Sequence, residues 1–128
     1  MQFYHCRQLT NNFEDVEASV REALQREGFG VITSIDMSAK LNEKLGVSLR
    51  KYTILGACNP PLAYKALQVE DKIGVMLPCN VILQEKNDGR IEVAAIDPVQ
   101  SMAAVGKTEL AAVAEEVSKK LKRVVESI

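Results

Sequence analysis

The chain predicts an α+β two-layer sandwich. Three observations carry that reading. Short strand-like runs alternate with amphipathic helices apolar on one face only, and such helices need a sheet to cover. An Asn87-Asp88-Gly89 turn joins two apolar runs late in the chain, so the sheet cannot be wholly parallel. A length of 128 residues at 47% hydrophobic content suits a single domain over residues 1–128, with a core that needs no staple.

The elements follow in order. Residues 2–9 alternate weakly and hold aromatics, which predicts a first strand. Asn11-Asn12 offers a cap for a helix over 12–27, with Glu14 and Asp15 in its first turn. Phe13, Val16, Val20, Ala23 and Leu24 share one stripe of that helix, and Gly28 closes it. Phe29 to Met37 is a second strand. Ser38 is placed to cap a short helix over 39–45, which Gly46 ends. Tyr52 to Cys58 is a third strand, after which Asn59 caps a helix opened by Pro60, with Leu62, Ala63, Ala66 and Leu67 on its apolar side.

Val75 to Glu85 reads as a fourth strand. Pro78 within it has no N–H to give a ladder, so a bulge or an edge position is expected there. The hairpin turn leads into a fifth strand, Ile91 to Ile96. Pro98 then opens a short turn of helix through Ala104. Thr108 is expected to cap the last helix, whose buried stripe is Leu110, Val113, Val117, Leu121, Val124 and Ile128. The predicted sheet has about five strands, in the order β-α-β-α-β-α-β-β-α.

Charge excludes several functions. Sixteen Lys and Arg against 17 Asp and Glu give a net charge of -1, with the signs interspersed. That balance gives no electrostatic reason to expect nucleic acid or an anionic membrane as a partner. No apolar run approaches the ~20 residues of a membrane helix, and Met1 to Arg7 has no signal-peptide pattern. Three cysteines cannot all pair within one chain, so free thiols in the cytoplasm are the expectation. The glycines make no phosphate fingerprint: Gly28-Phe29-Gly30 precedes a strand, whereas a dinucleotide loop follows one. The cofactor, if any, stays open.

The chemistry gathers at a repeated pair. Cys58-Asn59 stands beside Pro60-Pro61, and Cys79-Asn80 follows Pro78. A start of helix at Asn59 brings backbone N–H groups and a positive dipole end to Cys58, conditions that lower a thiol pKa and hold an anion. The plainer alternative is that both cysteines are small core residues, Asn59 a cap and Asn80 a partner for a bulge. Cys58 and Cys79 are weak metal candidates, because no Cys-x-x-Cys or His-x-x-x-His spacing supports them. His5, the only histidine, would have to serve any Cys–His catalysis from the far end of the chain. Asp36 and Asp97 each close a strand and suit caps better than a cleft rim.

Ile54-Leu55-Gly56-Ala57-Cys58-Asn59-Pro60 resembles the signature of the domain-of-unknown-function 302 family. Gly28-Phe29-Gly30-Val31, Ala63-Tyr64-Lys65-Ala66-Leu67, Leu77-Pro78-Cys79-Asn80-Val81 and Ala95-Ile96-Asp97-Pro98 match in the same order. The resemblance implies a compact prokaryotic α+β domain that self-associates. It implies no activity and hands over no catalytic residue.

The expectation from residues and resemblance together is a small cytoplasmic binding module, a homodimer. Its pocket would lie around Cys58, Asn59, Cys79 and Asn80 and would take a small anion, a thiol-reactive molecule or a metal ion. One alternative is an enzyme with Cys58 as nucleophile and Asn59 or backbone amides holding an oxyanion. Another is an interaction subunit that pairs through an exposed sheet face.

Overall fold

A computed structural model describes residues 2–128. The five strands are β1 (Tyr4–Leu9), β2 (Gly30–Asp36), β3 (Tyr52–Cys58), β4 (Cys79–Glu85) and β5 (Ile91–Ile96). They form one antiparallel sheet in the order β1-β5-β4-β3-β2. The helices are α1 (Phe13–Arg26), α2 (Met37–Leu45), α3 (Pro60–Val69), α4 (Pro98–Ala103) and α5 (Thr108–Ser127), and a 3-10 helix runs over Asp71–Met76. The α+β class and the element order are those the sequence predicts.

Alternation decides which side of the sheet is the core. Leu55 and Ala57 of β3, Cys79, Val81 and Leu83 of β4, and Ile91, Val93 and Ala95 of β5 are buried. Each set has the two-residue spacing of one sheet face. Against them pack Phe13, Val16, Val20, Ala23 and Leu24 of α1, and Leu110, Val113, Val117, Leu121 and Val124 of α5. The opposite face, with Tyr52, Ile54, Ile82 and Ile96, carries no helical layer of buried residues and is half-exposed.

Caps confirm some expectations and correct others. Asn12 Oδ1 accepts from the Asp15 N–H at 2.8 Å, and Gly46 ends α2 at a φ of 67°. α2 is capped by Asp36, whose carboxylate accepts from the Ala39 N–H at 2.9 Å, and not by Ser38. The Ser38 hydroxyl instead accepts from the Tyr52 N–H at 3.0 Å and donates to the Arg50 carbonyl, tying α2 to the start of β3. Thr108 is the first residue of α5 and gives no cap; Lys107 takes the cap position without a side-chain hydrogen bond. Asp97 caps α4, accepting from the Val99 N–H at 3.2 Å.

The main correction concerns β4. It starts at Cys79, not Val75, and Pro78 stands just before it after a cis peptide bond. β4 lies between β3 and β5, so it is neither an edge strand nor bulged. A proline without an N–H has no place in a central ladder, and the chain keeps Pro78 outside it. Residues 71–76 coil into the 3-10 helix instead, starting from Glu70, whose carboxylate accepts from the Lys72 N–H at 2.9 Å. The sheet's one register shift lies in β2 between Val31 and Thr33, and it turns Ile32 outward.

Candidate functional site

β3 and β4 are neighbours, and Ala57 pairs with Cys79. That register places Cys58 and Cys79 on adjacent strands at the same end of the sheet. Beside them lies a cavity of about 310 Å3, lined by the two cysteines, Asn59, Phe29, Leu62, Ala66, Leu77, Pro78, Met102 and Val117 among others. Its floor is the core face of the sheet, its sides are α3 and α5, and the Leu77-Pro78 segment closes one end. Ile32 and Leu67, 62% and 41% exposed, stand at its mouth.

Cys58, Asn59 and Cys79 therefore border one cavity. Asn80 does not. Successive strand residues face opposite sides, so Asn80 is exposed on the open face, beside Tyr52 and Ile82. The repeated pair thus divides across the sheet. Cys6 is exposed on β1 and lies opposite Ala94, also away from the cavity.

Burial governs the thiols. Cys79 is buried and loses the hydration a thiolate needs. That loss, with the neighbouring Cys58 adding to it, pushes its pKa up to about 11. Cys79 is a neutral thiol at physiological pH. Cys58 is half-buried at the strand end.

Asn59 is committed to the scaffold. Its Oδ1 accepts from the Leu62 N–H at 3.3 Å, which caps α3, and its Nδ2 donates to the Glu27 carbonyl at 3.3 Å, which holds the end of α1. Gly28, at a φ of 85°, lets α1 end against this amide, because a Cβ there would lie 3.1 Å from Asn59 Nδ2.

The expectation of free backbone donors at α3 fails for a reason written in the sequence. Pro60 and Pro61 occupy the first two helical positions and have no N–H. The Leu62 N–H goes to Asn59 Oδ1, and the Ala63 N–H goes to the Asn59 carbonyl at 2.9 Å. Of the donors that a helix start would normally offer, those of Pro60 and Pro61 are missing and that of Leu62 is used by the cap.

His5 is out of reach. β5 and β4 separate β1 from β3, which puts β1 and β3 about 14 Å apart at ~4.8 Å per step. Its Nε2 meets Ser118 Oγ at 3.0 Å and lies 3.8 Å from Asp97 Oδ2. A Ser-His-Asp triad needs hydroxyl and carboxylate on opposite ring nitrogens, and here both address the same one. The cluster joins β1 to α5 and α4. Among the described residues no group of three or more His, Cys, Asp or Glu could hold a metal ion.

Comparison with known proteins agrees with this architecture. The model of the family "Domain of unknown function DUF302" matches residues 5–128. The chain belongs to this family. A curated relative in Aquifex aeolicus, an uncharacterized protein, is 28% identical over 85 residues; the match covers 66% of this chain and 53% of the relative. The chain thus matches about half the length of that relative. The crystal structure of an uncharacterized conserved DUF302 protein from Bacillus stearothermophilus superposes with a TM-score of 0.91, covering 98% of both chains at 24% identity, which speaks for the fold alone. In this DUF302 protein the segment Ile54 to Pro60 forms the end of β3 and the capped start of α3, at the wall of the cavity.

Proposed function

We propose that this DUF302 protein is a small-molecule binding module whose site is the cavity bordered by Cys58, Asn59 and Cys79. One observation carries the reading: the cavity is bordered by two thiols, and its walls hold no carboxylate, imidazole, amine or guanidinium. A site of about 310 Å3 falls at the small end of ligand pockets, which run from roughly 300 to 1,000 Å3. Without an acid or base at hand, Cys58 has nothing to activate it as a nucleophile, which favours binding over catalysis. The three cysteines suit a reducing compartment such as the cytoplasm. The reading is tested by a thermal-shift screen with thiol labelling of the native protein. Ligands should raise the melting temperature and slow the modification of Cys58. A screen in which nothing raises the melting temperature, with Cys58 labelling unaffected by every compound, ends the proposal.

A second reading concerns assembly. α2 has no buried residue, although a helix of nine residues is shorter than the ~12–15 that hold together in water without packing. The open sheet face beside it carries Tyr4, Ile35, Tyr52, Ile54, Ile82 and Ile96. It also carries both signs of charge, with Arg50 Nε donating to Gln84 Oε1 at 2.7 Å and Gln84 Nε2 donating to Glu92 Oε1 at 2.8 Å. A face with both signs is self-complementary under a two-fold axis, which favours a homodimer through this face. Sedimentation of the purified protein tests it: a monomer at high concentration refutes it.

A further inference from the structure

We infer that the ligand of the Cys58–Cys79 cavity is a neutral, apolar ring or short chain, held by shape and dispersion rather than by charge. The inference rests on the cavity being the ligand site, as proposed above, and adds the class of ligand. Three observations carry it.

The first is the state of the polar groups. An anion needs donors, and the start of α3 is poor in them: Pro60 and Pro61 lack N–H groups, and the Leu62 and Ala63 N–H groups are bonded to Asn59. The Asn59 side chain is engaged at both ends, by Leu62 and by the Glu27 carbonyl. For a cation the two thiols stand without further ligands: among the described residues no group of three or more His, Cys, Asp or Glu could hold a metal ion.

The second is the wall. Phe29, Ala57, Leu62, Ala66, Met102 and Val117 present carbon and one thioether sulfur, and the cysteines add soft, polarisable thiols. A cavity whose walls carry no charged side chain and few polar groups suits a ligand with neither charge nor strong hydrogen-bonding groups. The volume of about 310 Å3 is roughly twice the ~150 Å3 of an apolar cavity that takes benzene, which suits a fused bicyclic ring or a short acyl chain.

The third is the mouth. The bulge of β2 turns Ile32 outward beside the cavity, and Leu67 of α3 faces it across the opening. Val75 and Met76, 88% and 40% exposed, directly precede the cavity residue Leu77. An apolar lip of this kind passes an apolar molecule without a desolvation barrier.

The test uses full-length protein and matched probes: naphthalene, its carboxylate 1-naphthoate, the neutral fluorophore N-phenyl-1-naphthylamine, inorganic phosphate and zinc ion. The neutral probes should raise the melting temperature and protect Cys58 from a thiol reagent. Naphthoate should bind at least about 10-fold more weakly than naphthalene, since a buried carboxylate would find no donor. Phosphate and zinc should do neither. Ala63→Leu, which narrows the cavity from α3, should abolish N-phenyl-1-naphthylamine fluorescence enhancement. Leu67→Lys, at a partly exposed position that the fold tolerates, should weaken it several-fold with an unchanged melting temperature. Tighter binding of naphthoate, phosphate or zinc than of naphthalene overturns the ligand class and leaves the site standing. If no probe binds or protects, the class and the site fall together. Enhancement that survives both substitutions places the probe elsewhere and also overturns the inference.

Discussion

Gly56 shows how closely the strand beneath the cavity is packed. A Cβ on it would lie 2.1 Å from Thr33 Oγ1 and 2.8 Å from Pro78 Cγ, distances that force a shift. Gly56→Ala should therefore destabilise the protein by about 1–3 kcal/mol, as overpacking of a tight site does. The double variant Gly56→Ala/Thr33→Ala should recover part of that loss in urea titrations. Equal stability of Gly56→Ala and wild type would show that Thr33 moves aside freely. Cys79 makes a different prediction. Its pKa is raised on folding, so its contribution is fully present below the unfolded thiol's pKa near 9 and is lost as pH rises towards about 11. Two pH units of separation amount to about 2–3 kcal/mol at most. The melting temperature should fall over that window more steeply in wild type than in Cys79→Ala, and the ultraviolet thiolate signal of Cys79 should appear only there. Glu27 runs the other way. The Arg123 guanidinium, donating to it at 2.8 Å, holds its carboxyl below the usual range. What this pair contributes is present at neutral pH and fades as acid protonates Glu27, so Arg123→Met should reduce acid sensitivity between α1 and α5.

Among the elements, α3 depends most on a single side chain. Asn59 caps it and also braces α1, so Asn59→Ala should cost about 1–2 kcal/mol, at the upper end for a lost cap. Asn59→Asp should keep the cap but lose the donor to Glu27, and should fall between the two. If chemical denaturation finds Asn59→Ala neutral, the brace has no energetic weight. The apolar stripe of α1 was fully readable, because a 3.6-residue period reports burial directly: Phe13, Val16, Val20, Ala23 and Leu24 are all buried. The stripe of α3 was not. Leu67 has the right spacing yet stands 41% exposed, since period alone cannot say whether the neighbour across the groove is protein or an opening. Pro60-Pro61 was plain in the sequence as a helix start. Its second meaning, the loss of two N–H donors, needed the cap bonds at Leu62 and Ala63 to complete it.

At the scale of the whole molecule, the two-layer design leaves one sheet face to account for. If that face pairs with a second copy, Ile82→Lys at its centre should shift the protein to monomer in sedimentation experiments without unfolding it, since Ile82 is only half-buried in the single chain. A variant that remains dimeric would place the contact elsewhere. No helix of the described residues is long and apolar enough to cross a membrane. Local pattern determined the class, the order of elements, the caps at Asn12 and Asn59 and the hairpin at Gly89, because each depends on residues within a turn or two of one another. Strand order was beyond its reach. Nothing near Cys58 says that β4 lies beside β3, that Pro78 stops short of a central ladder, or that Cys79 joins the cavity while Asn80 faces the other way. Those outcomes depend on hydrogen bonds and packing between segments about twenty residues apart. A one-residue change of register between them would have exchanged the two sides of the sheet, and with them the site.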